Sequence, residues 1–346
     1  MSSTSTHSGS VRDCVVRILQ DHQGSYVSGE SIAQQLGVSR AAVWKAITSL
    51  RESGIEIQAV RNRGYQLAPT VDLLTTNGVI SYLNDEVASL LHLNVVASTT
   101  STNTVLKQQA DSGAPEYTAL VAGEQTQGKG RRGRPFYSPG DTGIYLSILL
   151  RPKMSSMFNP ADLTCAAAVA VARAIEETTH IEAQIKWVND VYVNGFKICG
   201  ILTEAASDLE SQTIDYAIPG IGVNLYAPAD GFPSNCAHKA GYILDTPKAG
   251  LRDHLAASIL NQFVSLYLDG SRGSYLDEYR QRSFLIGKEI DILAQDGSAR
   301  VAKALSIGDD LSLLVKYNDG SEQRLTTGEV SIRLPEQRTS TPLQIN

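Results

Sequence analysis

The chain has 346 residues, 42% of them hydrophobic, and a formal net charge of −6. That length buries at least one large core and suggests two or three domains, while the negative balance excludes a protein that coats nucleic acid over its whole surface. No apolar run reaches the ~20 residues of a membrane span. The opening MSSTSTHSGS is polar, and Cys14, Cys165, Cys199 and Cys236 form neither a C-x-x-C pair nor a metal-spaced cluster. A disordered tail over 1–10, a reducing cytoplasmic setting and no membrane partner are expected.

Residues 11–70 read as a compact helical unit ending in a hairpin. Val15, Ile18 and Leu19 share one face of a first helix. Ser28, Glu30 and Ser31 open a second that runs to Leu36 and stops at Gly37. Ser39 caps a third, in which Val43, Ala46, Ile47 and Leu50 face the core and Arg40, Ala41, Trp44, Lys45, Thr48 and Arg51 line the opposite, exposed face. Beyond Gly54, Ile55 and Ile57, then Tyr65 and Leu67, mark two strands joined by the basic tip Arg61-Asn62-Arg63-Gly64. This pattern places Ser39, Arg40, Ala41, Trp44 and Lys45 on a DNA recognition helix, with Arg61 and Arg63 on a wing that touches phosphates. The competing reading is a small helical interaction module with solvated charges. Trp44 either stacks on DNA sugar or packs against the rest of the chain.

Pro69 punctuates a linker, after which one amphipathic helix is expected within 71–91. Strands near 93–97, 118–123, 143–151, 183–187, 191–193, 197–205 and 213–223 alternate irregularly with a helix from Asn103, a long one over 161–178 and a largely helical 251–283. Asn194-Gly195 is the strongest short hairpin signal. The mixture predicts an α+β multidomain chain with a largely antiparallel central sheet. From 287 to 334, short strands separated by Asp296-Gly297, Gly308-Asp309 and Asp319-Gly320 suggest a small β-barrel. The expected division is a tail over 1–10, units over 11–70, 71–285 and 286–335, and a second tail over 336–346.

The most informative stretch runs from Gly123 through Gly128, Lys129, Gly130, Arg131, Arg132 and Gly133 to Arg134. It fits G-x-x-x-x-G-K, but Gly130 stands where a P-loop requires a hydroxyl, and Pro135 and Pro139 oppose a following helix. The match of Gly128, Gly130 and Gly133 to G-x-G-x-x-G fails on the same missing helix. What remains is a glycine loop with four cations, suited to joining a carboxylate to the α-phosphate of ATP, two anions that repel without counter-charge. A basic loop touching nucleic acid is the alternative. Lys186-Trp187-Val188-Asn189-Asp190 with Lys197 puts polar groups at a turn between strands, and Gly220-Ile221-Gly222-Val223-Asn224 is a strand that other groups can approach closely. Ser101-Thr102-Asn103 precedes a helix and either caps it or binds a small polar ring, capping being the default.

These motifs in this order, together with the head, resemble the bifunctional biotin operon repressor and biotin-protein ligase family over nearly the whole chain between its tails. The resemblance implies a winged helix-turn-helix DNA-binding domain, a class II aminoacyl-tRNA synthetase-like catalytic domain with a central mixed sheet and helices, and a C-terminal SH3-like β-barrel. It further implies that Ser101, Thr102, Asn103 and Gln125 bind the biotin ureido ring and its neighbours. Lys129, Gly130 and Arg131 would order over biotin and the adenylate, and Lys197 would meet the biotin carboxylate or phosphate. Arg131, Asn189, Asp190 and Asn224 would hold ATP, with Asp190 as the Mg2+ ligand and Arg131, Lys197 and Asp190 as the catalytic set. The chain departs from the family at Lys129 in place of the commoner Arg, at Val188 in place of the usual Pro, and at Phe136 in place of a frequent Trp.

The implied activity is ATP-dependent formation of biotinoyl-AMP and transfer of biotin to a lysine of a biotin carboxyl carrier domain, combined with repression at operator DNA as a homodimer promoted by the adenylate. A lipoate-protein ligase and a ligand-responsive repressor without ligase activity are the alternatives.

Overall fold

The computed structural model describes residues 10–22, 24–52, 54–152, 160–208, 213–293, 298–326 and 331–333. Residues 1–9 and 336–346 of the expected tails, and the Asp296-Gly297 turn, lie outside the described residues.

The head opens with α1 (Val11–Asp21), α2 (Gly29–Leu36) and α3 (Arg40–Glu52). Ser28 caps α2 by accepting from the Ser31 amide at 3.0 Å, and Gly37 ends it in the left-handed region at φ 65°. Ser39 Oγ accepts from the Ala42 amide at 3.1 Å, capping α3. Strands β1 (Ile57–Val60) and β2 (Gly64–Leu67) form the hairpin, and Val27 adds a bridge to Tyr65 on its other side. Gly64 is required where it stands: its φ is +111°, and a Cβ would lie 2.1 Å from the Val27 carbonyl oxygen. Val15, Ile18, Leu19, Val43, Ile47, Leu50 and Leu67 close a core belonging to the head alone.

The stretch after Pro69 is anchored rather than loose. Asp72 is buried at the start of α8 (Leu251–Asp269, below), where its carboxylate accepts from the Arg252 amide at 3.1 Å and from Tyr226 Oη at 2.6 Å. The Arg252 guanidinium turns back on the Asp72 carbonyl and reaches Asp141 Oδ1 at 3.1 Å. A carboxylate at a helix N-terminus is favoured by the orphan amides there. Where one helix was expected there are two, α4 (Thr76–Tyr82) and α5 (Asp85–Leu90). Asn84 starts the second by capping Val87, so the chain turns at the break.

The central sheet is built from β3 (His92–Val96), β4 (Thr118–Ala122), β5 (Gly143–Ile148), β6 (Gln184–Lys186), β7 (Asp190–Val193), β8 (Phe196–Asp208) and β9 (Thr213–Asn224), separated by α6 (Thr102–Asp111) and α7 (Pro160–Thr179). Its order is β3-β4-β5-β9-β8-β7-β6, antiparallel throughout except for the parallel β3–β4 pair. Alternation along the strands sorts its two faces. Leu120, Tyr216 and Ile218 pack with Leu106 of α6, whereas Val121 and Ala217 join α7 and α8 in the main core. Seven alanines of α7 permit close approach to its neighbours. The hairpin between β7 and β8 turns at Asn194 and Gly195, φ 50° and 82°, as the dipeptide predicts.

After α9 (Leu276–Arg282), strands β10 (Glu289–Leu293), β11 (Ala299–Ile307), β12 (Leu313–Tyr317), β13 (Glu322–Leu325) and β14 (Ser331–Arg333) form a five-stranded antiparallel sheet in the order β13-β12-β11-β10-β14. Its core runs without a break into the central one through Leu285, Ile290 and Leu311. No helix among the described residues is long and apolar enough to cross a membrane.

Asp253, beside the linker clamp, accepts from the Thr75 amide at 2.8 Å, and burial pushes its carboxyl up to about 7 against the opposing pull of that bond. The folded protein therefore binds more protons than the unfolded chain between the ordinary carboxylate range and about pH 7. The stability this group contributes is full at low pH and is lost as pH rises through about 7. Asp253→Asn keeps an acceptor for Thr75 and removes the titration. Thermal unfolding from pH 4 to 8 is expected to show the variant gaining on the parent by a few kcal/mol as pH rises; parallel profiles would refute the assignment.

Candidate functional site

One row of cross-strand partners organises the site. Lys186 pairs with Asp190, Asp190 with Gly200, Gly200 with Gly222 and Gly222 with Tyr145, carrying the row from β6 to β5. Direct partners share a sheet face, and this is the face that packs α6. In the next row Leu202 pairs with Gly220 and Gly220 with Ser147. Three glycines thus remove side chains from adjacent positions, and residues from elsewhere fill the trough. A Cβ on Gly220 would fall 2.0 Å from Asn103 Oδ1, and one on Gly222 2.4 Å from the Phe136 ring. The glycine strand was expected to admit another group; the groups admitted are this chain's own Asn103 and Phe136.

Over the trough lies a cavity of about 350 Å³. Ser101, Thr102, Asn103, Gln125, Lys129, Gly130, Arg131, Asn189, Asp190 and Lys197, singled out from separate stretches of sequence, all line it. Asn224 does not. It is buried, and its Nδ2 donates to the Gly241 carbonyl at 3.0 Å, which ties down the segment that follows β9.

One end of the cavity is lined by polar, uncharged side chains. Ser101 makes no side-chain cap on α6, so the default reading of that triplet is corrected. Ser101, Thr102 and Asn103 are instead buried in a network. Gln125 Oε1 accepts from the Thr102 amide at 2.9 Å, and Gln125 Nε2 donates to Ser138 Oγ at 3.1 Å. Asn103 Nδ2 donates to Glu204 Oε2 at 2.8 Å and to the Leu202 carbonyl at 3.2 Å. Ser147 Oγ gives its one proton to Asn103 Oδ1 at 2.6 Å and lies 2.7 Å from Thr102 Oγ1. Ser147, fully buried on β5, was missed; the only signal was a hydroxyl in an otherwise apolar strand.

The other end is cationic. Residues 128–136 fold back on themselves, Gly130 N donating to the Arg134 carbonyl at 2.7 Å and Phe136 N to the Gly128 carbonyl at 2.9 Å. Arg131 Nη1 reaches Asn189 Oδ1 at 2.9 Å, and Asn189 is itself held by the Ile201 carbonyl at 2.9 Å. Lys197 Nζ sits 2.5 Å from Asp190 Oδ1. Lys186 is buried, and burial lowers its ammonium to about 8; Asp190 opposes that shift, while Lys197 and Lys239 add to it. Sequence inspection quoted Lys186 within its motif without a role, and passed over Lys239. The turn carrying Asn189 and Asp190 is braced from the C-terminal sheet, Trp187 Nε1 donating to the Leu311 carbonyl at 2.9 Å, and from α9, Tyr279 Oη donating to the Val188 carbonyl at 3.0 Å.

A second surface lies on the head. Ser39, Arg40, Ala41, Trp44 and Lys45 are exposed on the first two turns of α3, and Arg61 and Arg63 on the hairpin tip. Arg63 stacks 4.5 Å over the Tyr26 ring, so its guanidinium is preorganised. Trp44 is 59% exposed and is not packed away against the rest of the chain. Arg51, read as part of the exposed face, spends its guanidinium on the Ile57 carbonyl at 2.6 Å and fastens α3 to β1.

Because Asn103 occupies the space above Gly220, Gly220→Ala is expected to cost about 1–3 kcal/mol in thermal unfolding. Gly140→Ala, where the nearest atom to a Cβ is 4.0 Å away, should leave the midpoint unchanged. Equal midpoints for the two variants would refute the packing account.

Residues 95–224 match the biotin/lipoate A/B protein ligase family, and residues 13–66 match a helix-turn-helix domain. The chain is 34% identical over 321 residues to the bifunctional ligase/repressor BirA of Bacillus subtilis, covering 90% of this chain and 95% of that one. It is 27% identical over the same length to the protein of that name from Escherichia coli. Among solved structures, the biotin protein ligase of Aquifex aeolicus in complex with biotin and ATP superposes with a TM-score of 0.57 at 25% identity, covering 70% of this chain and 98% of that one. This chain matches the two bifunctional proteins in sequence over nearly their full length, and it belongs to the bifunctional ligase/repressor family.

Proposed function

We propose that the chain is an ATP-dependent biotin-protein ligase that also represses transcription through its head. The observation that carries the reading is the polarity of the cavity: an uncharged hydrogen-bonding floor of buried Ser101, Thr102 and Asn103 with half-buried Gln125, and cations toward the other end. A ureido ring is neutral and needs donors and acceptors together, which that floor holds in preorganised positions. A carboxylate and a triphosphate need the cations.

In the first step a biotin carboxylate oxygen attacks the α-phosphorus of ATP, a C–O–P link forms, the bond to the β-phosphate breaks, and pyrophosphate leaves. Arg131 and Lys197 balance the charge that gathers at phosphorus, with Arg131 oriented by Asn189. Lys129 and Gly130 close the loop over the adenylate and keep water from the anhydride. In the second step a lysine amine of a biotin carboxyl carrier domain attacks the acyl carbon, AMP departs and the amine gives up a proton.

Asp190 would hold Mg2+ together with ATP phosphates, an ion that needs only one or two protein carboxylates. The donor suits that, since Asp190 is a hard oxygen donor on the cavity wall beside the cations that would meet the phosphates. Bound there, the ion neutralises phosphate charge. Asn189 contacts the nucleotide side of the cavity, and Asn224 acts on it through the segment it ties down.

The units proposed are a winged helix-turn-helix over 11–70, a class II aminoacyl-tRNA synthetase-like catalytic domain over 71–285 and an SH3-like barrel over 286–335. A single wing and helix read only a half-site, and a chain of net charge −6 has little general attraction to DNA, so operator occupancy requires two heads. Loop ordering by the adenylate favours the homodimer by reducing the entropy lost on association.

Pyrophosphate release with biotin and with lipoate, each with and without a carrier domain, tests the ligase reading; turnover with lipoate alone would overturn it. Arg131→Gly is expected to release more free biotinoyl-AMP than the parent, and Lys197→Ala to slow adenylation by about 10²–10³-fold. Sedimentation of the protein alone, with biotin, and with biotin plus ATP should give a dimer that strengthens only in the last state, in step with operator affinity. A dimer equally stable in all three would leave a constitutive dimer in its place.

A further inference from the structure

Beside Arg131 and Lys197, two further lysines, Lys186 and Lys239, line the cavity. At the β6–β8 end of the row Lys186, Lys197 and Lys239 line the cavity, with Asp190 among them and Arg131 reaching the neighbouring Asn189 at 2.9 Å. Lys197 already faces Asp190 at 2.5 Å. A second lysine buried in such company is costly unless a polyanion completes the site.

Lys239 reaches the rim from the turn after β9, and its backbone is fixed. Its carbonyl accepts from the Lys197 amide at 2.8 Å, while the Gly241 amide donates to the Lys197 carbonyl at 2.9 Å. Asn224 Nδ2 takes the Gly241 carbonyl at 3.0 Å, and the Ile243 and Leu244 amides both bond the Leu225 carbonyl. Gly241 must be glycine, since a Cβ there would lie 2.5 Å from Phe196 Cβ. The backbone of Lys239 is thus fixed at the rim of the cavity, and its flexible stem carries the ammonium within reach of it.

Resting on the ligase reading above, we infer that Lys239, with Lys186 beneath it, grips the β- and γ-phosphates of ATP and the pyrophosphate that leaves. The neutral floor rests on Ser147 of β5, whereas Lys186 stands on β6, four strand spacings of ~4.8 Å away, with Lys197 on β8 between them. Biotin at the floor therefore sends its carboxylate toward the middle of the row, where the α-phosphate meets it, and the leaving group toward Lys239. The carboxylate–phosphorus bond forms as the α–β bridging bond breaks, and the extra negative charge appears on pyrophosphate, where the two lysines stand.

The test separates the half-reactions. At saturating biotin, Lys239→Ala should raise KM for ATP about tenfold, the loss of one charge-assisted contact of about 1.4 kcal/mol. Inhibition by added pyrophosphate should weaken by a similar factor. Transfer from synthetic biotinoyl-AMP to a carrier domain should stay within about twofold of the parent, and Lys239→Arg should restore most of the ATP affinity. Unchanged KM and unchanged pyrophosphate inhibition in an active Lys239→Ala protein would overturn the inference alone, as would an equal fall in transfer. A parent that releases no pyrophosphate with biotin would overturn the ligase reading with it.

Discussion

A sheet raises a side chain on each face at every second residue, so a cavity on a sheet requires that several neighbouring positions on one face be left empty together. Gly200, Gly220 and Gly222 meet that condition because the register of β8 on β9 sets Gly200 opposite Gly222 and Leu202 opposite Gly220. A slip of one residue would turn the glycines to the α7 face and bring Ile201 and Ile221 into the site. The same register continues through Asp190 to Lys186, so the trough and its charges are placed by one set of backbone hydrogen bonds. Asn103 and Phe136 can then reach the sheet, and everything said of substrates depends on that approach.

Electrostatics follows from this placement. Lys186 sits on a short strand that the C-terminal half of the chain covers, and the buried Trp187 beside it is held by a carbonyl of the last sheet. Burial strengthens each interaction among the charges while making an unmatched charge expensive. Burial lowers the Lys186 ammonium first, and Lys197 and Lys239 add to the shift against the pull of Asp190. A polyanionic substrate opposes that shift, which ties affinity for nucleotide to the placement of these lysines.

The head and the cavity are joined by a short path of polar contacts, buried at Asp72 and Arg252 and ending at the exposed Asp141. Asp72 leaves the head, meets Arg252 at the start of α8, and Arg252 reaches Asp141, just beyond the loop segment that Ser138 and Gln125 hold together. The head nevertheless closes its own hydrophobic core. Two units with separate cores and a stiff connection are suited to coupling DNA binding to the occupancy of the cavity without sharing residues.

Much of this was legible in the order of residues. Caps at Ser28 and Gly37, the apolar stripe of α3, the Asn194-Gly195 turn and the cationic glycine loop all rest on neighbours a few positions apart, and local sterics and hydrogen bonding decide such features. The motifs also marked the cavity wall from Ser101 to Lys197, since chemistry of that kind leaves its residue types in view. What only the tertiary structure decided concerns partners far apart in the chain. The role of Ser147 beneath Asn103, the use of Asn224 to hold Gly241, and the arrival of Lys239 beside Lys186 each depend on which strand lies next to which. Register and topology are set by the burial of whole faces at once, so they are written in no single stretch of sequence.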